Sequence, residues 1–238
     1  MQLGEGVEVI CVSDQGLWAF NKPAGVLSHP NNPSEEKDSL IVAPYDMKEE
    51  AFMTDEGPYY LLHRLDSPTS GIILATPYAA LARDIKELIR ARKVRKIYHA
   101  IVAGQPRKPK ELWIDKLQKT FDRSSGTNGG GREFVRGRAI GGGAPAETQM
   151  TLIKSFHTPI PSSLLELHPL TGRTHQLRIQ CARRKMPIIG DATYGDFRLN
   201  RELKAKTLLL HAFSFDIPSM RFYAEAELPG VFLKWGKR

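Results

Sequence analysis

The sequence predicts an α+β protein built around a single mixed, largely antiparallel sheet with flanking helices. Strand-like and helix-like segments interleave along the 238 residues, but not with the strict alternation of a doubly wound parallel sheet. No internal repeat or heptad pattern is present, which argues against solenoids and coiled coils. A chain of this length can bury one sizeable core, so we expect residues 1–238 to form a single domain.

The first elements are strands. Two short apolar segments, Val7–Val12 and Leu17–Asn21, are separated by turn-forming residues and predict a hairpin. Residues 29–58 are polar and rich in Pro, Asp and Glu, which predicts mostly loop with a little helix. The apolar run Tyr60–Leu62 and the β-branched run Gly71–Thr76 predict two further strands.

A helix is predicted directly after the second of these runs. Thr76 has the residue type of a helix cap and Pro77 suits the first helical position. Apolar residues then recur at helical spacing, with charged residues on the other faces. The apolar positions are Leu81, Ala82, Ile85, Leu88 and Ile89. This stripe predicts that the helix packs on the sheet.

The second half of the chain resumes the strand pattern. In the strand predicted at Ile97–Ala103, alternation places Tyr98 on the same face as Lys96. The remaining predicted elements are strands at Thr148–Ile153 and Leu164–Leu167 and a helix at Thr174–Arg184, whose first turn carries Arg178.

Residues 107–145 have a different composition. They hold eight of the 20 glycines together with many basic side chains, which predicts a Gly-rich basic insertion. The segment lacks the glycine-lysine pattern of a phosphate-binding loop, so a nucleotide cradle is not expected. A solvated loop and a basic arm that orders on RNA are both compatible with this composition.

Charge and cysteine content bound the function. The formal net charge of +8 favours a polyanionic partner such as RNA over an acidic protein. Cys11 and Cys181 have neither disulfide-framework nor zinc-site spacing and are expected to be reduced thiols. No targeting segment and no apolar run of membrane-spanning length is present, so we expect a cytoplasmic protein with no membrane partner.

The segment from His63 to Asp66, followed by Thr69–Gly71, is the strongest candidate site. Asp66 comes just after an apolar strand, where side chains converge on a cleft. A carboxylate in such a place can act as a nucleophile or as a base. Alternatively, Asp66 begins a turn and Arg64 is its surface partner.

Further segments of the sequence resemble one family, the RluA-type pseudouridine synthases, and they follow one another in that family's order and spacing. The segments that carry the resemblance are Asn21–Gly25 with His29-Pro30, His63–Asp66 with Thr69–Gly71, Lys96–Tyr98, Leu170–Arg178, Pro187–Asp191 with Tyr194-Gly195, and Leu208–Ala212. Together they span most of the chain from about residue 18 to about residue 216. The resemblance implies a mixed-sheet catalytic domain that isomerises uridines of rRNA or tRNA to pseudouridine, with no organic cofactor and no metal.

The resemblance also assigns site residues. Asp66 occupies the position of the family's catalytic aspartate, and Tyr98 that of its active-site tyrosine. Arg178 is expected to pair with Asp66 and to keep it ionised and oriented. Arg64 is expected to fill the space that a flipped base vacates in the RNA. Further RNA-binding residues are expected at Lys96, Arg173 and His175.

The sequence departs from the family pattern at three places. Gln180 stands where relatives usually carry a histidine, and Lys185 stands where a glycine is common. The insertion at 107–145 is unusual in length and composition. We also expect no separate N-terminal RNA-binding module, no obligatory protein partner and a monomer.

Two other functions are compatible with parts of the pattern. One is a non-catalytic RNA-binding protein on the same scaffold, against which the intact Asp66, Tyr98 and Arg178 argue. The other is a glycoside or nucleoside hydrolase, which usually needs a second carboxylate, for which Asp191 is the candidate. The histidines lack metal-ligand spacing, and three of them, His63, His175 and His211, are expected to hold the motif loops by hydrogen bonds.

Overall fold

A computed structural model describes residues 1–117 and 143–237, together with the backbone of 120–121 and 133–134. Its strands are β1 (Glu8–Val12), β2 (Trp18–Lys22), β3 (Tyr45–Asp46), β4 (Ala51–Thr54), β5 (Gly57–Leu61), β6 (Ser70–Thr76), β7 (Arg95–Ala103), β8 (Lys110–Leu117), β9 (Thr120–Phe121), β10 (Glu133–Phe134), β11 (Ala144–Phe156), β12 (Ser162–Pro169), β13 (Leu210–Ile217) and β14 (Phe222–Glu225). The α-helices are α1 (Ala79–Arg90), α2 (Gln176–Arg183), α3 (Phe197–Glu202) and α4 (Gly230–Lys234). Short 3-10 helices lie at Pro33–Asp38 and Pro218–Met220.

Twelve of these strands form one mixed sheet, which confirms the predicted fold class. Its main path runs β3-β4-β5-β6-β13-β7-β12-β11-β8, and the β1–β2 hairpin joins it through β6. Strands β6 and β13 pair in parallel, whereas the other neighbouring strands described in this sheet are antiparallel. Strands that are far apart in sequence therefore meet at the centre of the sheet.

Gly71 makes the central parallel pairing possible. Its φ is +106°, and a side chain there would collide with the backbone of Ala212 on β13. Only glycine tolerates both the backbone conformation and the close approach. Gly71 thus allows β6 and β13 to pair at the centre of the sheet.

Helix α1 packs on the sheet as its apolar stripe predicts. Ala82 and Ile85 are buried in one apolar cluster with residues of β2 and β6, and the other members of the stripe pack around them. Burying one such isoleucine contributes about 1.5–3 kcal/mol. The predicted N-terminus was wrong by two residues, because Thr76 completes β6 and the helix begins at Ala79.

Helix α2 also begins two residues later than predicted, at Gln176. It has little amphipathic character because it is enclosed on most sides, and its polar residues are buried along with its apolar ones. Gln176 and Gln180 both bond Thr148 on β11, through contacts of 2.9 and 2.6 Å. These bonds fix α2 against the sheet, with Arg178 between the two glutamines.

Two predictions for the less regular segments were wrong in part. Residues 29–58 hold the 3-10 helix but also β3, β4 and the start of β5, which are too short to show alternation. Residues 110–117, placed in the insertion, form β8, which pairs antiparallel with the first half of β11. Of the insertion predicted at 107–145, positions 118–119, 122–132 and 135–142 lie outside the described residues.

Candidate active site

A cavity of about 450 Å³ opens where five of the motif segments meet. It lies among the loop that joins β5 to β6, the start of β7, and the segment that leads into α2. All seven site residues predicted from the sequence line it: Arg64, Asp66, Lys96, Tyr98, Arg173, His175 and Arg178. Its volume lies within the roughly 300–1,000 Å³ usual for small-molecule sites.

Asp66 lies in the loop after β5, and hydrogen bonds from a buried lysine hold this loop in place. The amino group of Lys22 donates hydrogen bonds to the carbonyls of Pro23 at 3.1 Å, Val26 at 2.7 Å and Ser67 at 3.0 Å. Lys22 is completely buried, and this burial lowers the pKa of its amino group to about 7, against the opposing effect of the Asp66 charge. The Asn21–Gly25 motif, through Lys22, thus holds the loop that carries Asp66.

Further bonds between the same two loops complete this brace. The hydroxyl of Ser28 donates to the carbonyl of Leu65 at 2.7 Å and accepts from its amide at 2.9 Å. The amide of Gly25 donates to the carbonyl of Ser67, whose hydroxyl donates back to the carbonyl of Gly25, both at 2.8 Å. Residues on both sides of Asp66 are therefore tied to the segment after β2.

Arg178 joins Asp66 to a second carboxylate. Its Nη1 donates to Oδ2 of Asp66 at 3.2 Å, which is the ion pair expected from the sequence. Its Nε and Nη2 each bond a different oxygen of Asp191 at 2.8 Å. Burial raises the pKa of the Asp191 carboxyl, but the bonds and charge of Arg178 outweigh this and hold that pKa below its usual range.

Asp191 faces Arg178 rather than the cavity. Its side chain is 1% exposed, and Oδ1 also accepts from the amides of Thr193 and Tyr194 at 2.8 and 3.0 Å. Asp66, by contrast, is 26% exposed and lines the cavity. Asp191, the candidate for the second carboxylate that a hydrolase would need, thus binds Arg178 instead of facing the cavity.

Tyr98 and Lys96 lie on one face of β7, as alternation predicts, and both line the cavity. Burial and the nearby charge of Asp66 raise the pKa of the Tyr98 hydroxyl well above its usual value, so the phenol stays neutral. Burial lowers the pKa of the Lys96 amine. Leu210, the last leucine of the run 208–210, adds an apolar wall, which the sequence could not single out.

Arg64 is exposed at the mouth of the cavity and is held by a histidine. Its Nη1 lies 3.0 Å from Nε2 of His29, whose Nδ1 lies 3.1 Å from the carbonyl of Pro30. Because a guanidinium only donates, His29 accepts at Nε2 and donates from Nδ1. The His29 ring also stacks on Tyr45, with ring centroids 4.6 Å apart.

Arg173 and His175 lie in the segment that leads into α2, and both line the cavity. The exposed Arg173 donates from Nε to the carbonyl of Pro145 at 3.1 Å. His175 has φ +52° just before α2, and its Nε2 lies 3.7 Å from Oδ2 of Asp66. Its Nδ1 lies 2.9 Å from the hydroxyl of Tyr194.

The expectation that three histidines hold the motif loops is confirmed for two. His175 contacts Tyr194, and Nδ1 of His211 lies 2.9 Å from the hydroxyl of Ser70. It is wrong for Nε2 of His63, a buried atom without a hydrogen-bond partner among the described residues. The His63 ring instead stacks on Phe215, with centroids 4.9 Å apart.

The departures at Gln180 and Lys185 have structural counterparts. Gln180 donates from Nε2 to Asp115 on β8 at 3.0 Å, so it ties α2 to the edge of the sheet. Lys185 has φ +58° just after α2, in the conformation that glycine adopts most readily. Neither residue touches Asp66.

Sequence reasoning missed the bracing residues Lys22 and Ser28, and it considered Asp191 only as the second carboxylate of a hydrolase. Lys22 and Asp191 lie within the motifs that carry the family resemblance, and this was the sequence signal that they have a functional role. Within residues 1–117 and 143–237, no group of three or more His, Cys, Asp or Glu side chains is placed to hold a metal ion. No helix in the described part of the chain has both the length and the apolar character to cross a membrane.

Comparison with known proteins agrees with the fold. The family model for RNA pseudouridylate synthase matches residues 16–183, and the chain belongs to this family. Ribosomal large subunit pseudouridine synthase D of Borreliella burgdorferi is 30% identical over 210 residues, which cover 87% of this chain and 60% of that protein. tRNA pseudouridine synthase C of Haemophilus ducreyi is 31% identical over 213 residues, which cover 85% of this chain and 82% of that protein.

Two solved structures share the fold. Human RNA pseudouridylate synthase domain containing 1 superposes with a TM-score of 0.72 at 24% identity, over 98% of this chain and 88% of its own. Human RNA pseudouridylate synthase domain containing 4 gives 0.68 at 25% identity, over 94% and 90%. Among curated relatives, the chain spans 60%, 55% and 53% of the lengths of three that it matches.

Proposed function

We propose that this protein is an RNA pseudouridine synthase that isomerises uridines of rRNA or tRNA in the cytoplasm. The observation that carries the proposal is the position of Asp66, a carboxylate that lines a uridine-sized cavity and is held by Arg178 at 3.2 Å. Family membership and the names of relatives that act on ribosomal RNA and on tRNA support the substrate class. The isomerisation is redox-neutral and transfers no phosphate, so it calls for neither a metal nor an organic cofactor.

The reaction exchanges two bonds on one uridine. The bond from C1′ of the ribose to N1 of uracil breaks, the base turns, and C1′ bonds to C5. The hydrogen of C5 leaves to solvent and N1 gains a proton. Asp66 starts this sequence by attack on C1′, by attack on the uracil ring, or by removal of a proton from the sugar.

The other residues bind and orient the RNA. The neutral phenol of Tyr98 offers a flat, partly apolar surface for the flipped uracil. Arg64, exposed at the cavity mouth, is placed to enter the space that the base leaves, which offsets part of the unstacking cost of a few kcal/mol. Lys96, Arg173 and His175 supply donors to the RNA along the walls.

Tritium release from RNA labelled at uridine C5 tests the proposal. Wild-type protein and the variants Asp66→Asn and Asp84→Asn are incubated with bulk tRNA and with rRNA transcripts. We expect release by the wild type and by Asp84→Asn, whose exposed side chain lies on α1, and none by Asp66→Asn. Free uracil in the products would instead indicate a hydrolase, and RNA binding without release from tRNA, rRNA or intact ribosomal subunits would favour a non-catalytic protein.

A further inference from the structure

Helix α1 ends in a backbone motif that normally takes a glycine, and here takes an arginine. The amide of Arg92 donates to the carbonyl of Ile89 at 3.1 Å, and that of Lys93 donates to the carbonyl of Leu88 at 2.9 Å. This pair of bonds requires a left-handed residue between helix and strand, and Arg92 has φ +58°. A residue with a Cβ lowers the stability of the fold there relative to glycine.

Local contacts do not compensate for this cost. The side chain of Arg92 is 51% exposed, and its nearest acidic partner among the described residues is Oε1 of Glu147 at 3.9 Å. An exposed ion pair of that length contributes little to stability. Among the described residues the Arg92 guanidinium therefore has no short ion pair, and its charge faces solvent.

Arg92 lies close to the active-site cavity, although it is not itself one of the residues that line it. Ile89, three residues before it, and Lys96, four residues after it, both line the cavity. Glu147, which faces Arg92, donates a hydrogen bond from its amide to the hydroxyl of Thr171 at 2.9 Å, and Thr171 also lines the cavity.

Three more exposed cations share this corner between α1 and β7. We call the set of Arg90, Arg92, Lys93 and Arg95 the basic corner. Within the described part of the chain the set makes two further ion pairs, Arg90 with the exposed Glu87 at 2.7 Å and Arg95 with the half-buried Asp216 at 3.7 Å. The carboxyl end of a helix carries a partial negative charge, which repels anions. The positive side chains of the basic corner outweigh this charge next to the cavity.

We propose that the basic corner, with Arg92 at its centre, binds phosphates of the RNA backbone beside the uridine in the cavity. This rests on the proposed function, because it assumes that the cavity receives an RNA nucleotide. Arg173, which lines the cavity, donates to the carbonyl of Pro145, two residues before the Glu147 that faces Arg92, so the two arginines serve neighbouring phosphates.

The variant Arg92→Gly separates a binding role from a structural one. It removes the charge and relieves the backbone, so we expect a higher midpoint of urea unfolding together with weaker RNA binding. Anisotropy with fluorescein-labelled bulk tRNA should show a Kd increase of about three- to tenfold, and the plot of log Kd against log salt should become shallower by about 0.7–0.9. In the tritium assay KM should rise while kcat stays unchanged.

Lys204→Gly is the matched control. Lys204 has φ +52° in the same motif after α3, is exposed, and does not line the cavity. This variant should gain stability and bind tRNA like the wild type, and Arg92→Lys should keep the wild-type salt dependence. Wild-type affinity and salt dependence in Arg92→Gly would overturn the proposal, as would absence of tRNA binding by the wild type. Failure of the proposed function would show separately, as absence of tritium release.

Discussion

Arg178 is bound more closely to Asp191 than to Asp66. It makes two bonds of 2.8 Å to the buried Asp191 and one of 3.2 Å to Asp66 in the cavity. Two parallel bonds fix the plane of a guanidinium, and the third nitrogen then points in a set direction. Asp191 therefore determines where Arg178 can hold Asp66.

Replacing Asp191 with Asn should damage both stability and catalysis. The buried Arg178 would lose one charge partner, which costs about 3 kcal/mol of unfolding free energy. The displaced guanidinium would orient Asp66 less well, so kcat should fall on the order of 100-fold. Urea unfolding and tritium release measure the two effects, with Asp84→Asn as control. Wild-type kcat in folded Asp191→Asn would show that Asp66 needs no such support.

His29 should act on the reaction through Arg64. Loss of the contact between Nε2 of His29 and the guanidinium, 3.0 Å apart, frees Arg64 to leave the cavity mouth. We expect His29→Ala and Arg64→Ala each to lower kcat/KM, and the double variant to lose less than the sum, with a coupling energy of about 1–2 kcal/mol. Tyr45→Phe keeps the ring stack and should resemble the wild type. Strictly additive losses would contradict the coupling.

Gly71→Ala should disrupt the centre of the sheet. The new methyl group would meet the backbone of Ala212, which has no room to move between β6 and β7, so we expect a loss of at least about 3 kcal/mol. Gly25→Ala is the control, because φ is +99° but no atom lies within 4 Å of the added carbon. It should cost about 1–2 kcal/mol. Equal losses in urea unfolding would show that backbone conformation alone matters at Gly71.

Acid should destabilise the protein through His211. Burial lowers the pKa of His211 from 6.5 to about 4, so between these values the unfolded chain binds more protons than the folded one. The stability contributed by the neutral ring is complete above about pH 6.5 and is lost as the pH falls toward 4. Between pH 7 and pH 5, the unfolding free energy of His211→Gln should therefore fall by about 1–2 kcal/mol less than that of the wild type.

The exposed His157 offers a control for that experiment. His157→Gln should follow the wild type in urea unfolding at both pH values. If His211→Gln also followed it, protonation of His211 would not be part of the acid response.

The sequence predicted those parts of the molecule that depend on neighbours along the chain. Alternation placed Lys96 and Tyr98 on one face of β7, and the apolar spacing of residues 81–89 placed α1 on the sheet. Segment β8 was misjudged because its partner, the first half of β11, comes some thirty residues later, beyond a Gly-rich stretch that resembles a loop. Strands β3 and β4, with two and four residues, are too short for a periodic signal.

By itself, then, the sequence determined the mixed α+β architecture, the family resemblance and the set of residues that surround the cavity, because local periodicity and motif identity are properties of neighbouring positions. Only the tertiary structure decided how that set is held. Lys22 bonds the carbonyl of Ser67, 45 positions away, and Arg178 divides its bonds between Asp66 and Asp191, 112 and 13 positions away. A hydrogen bond depends on distance and direction in space, which the fold sets when it brings distant segments together.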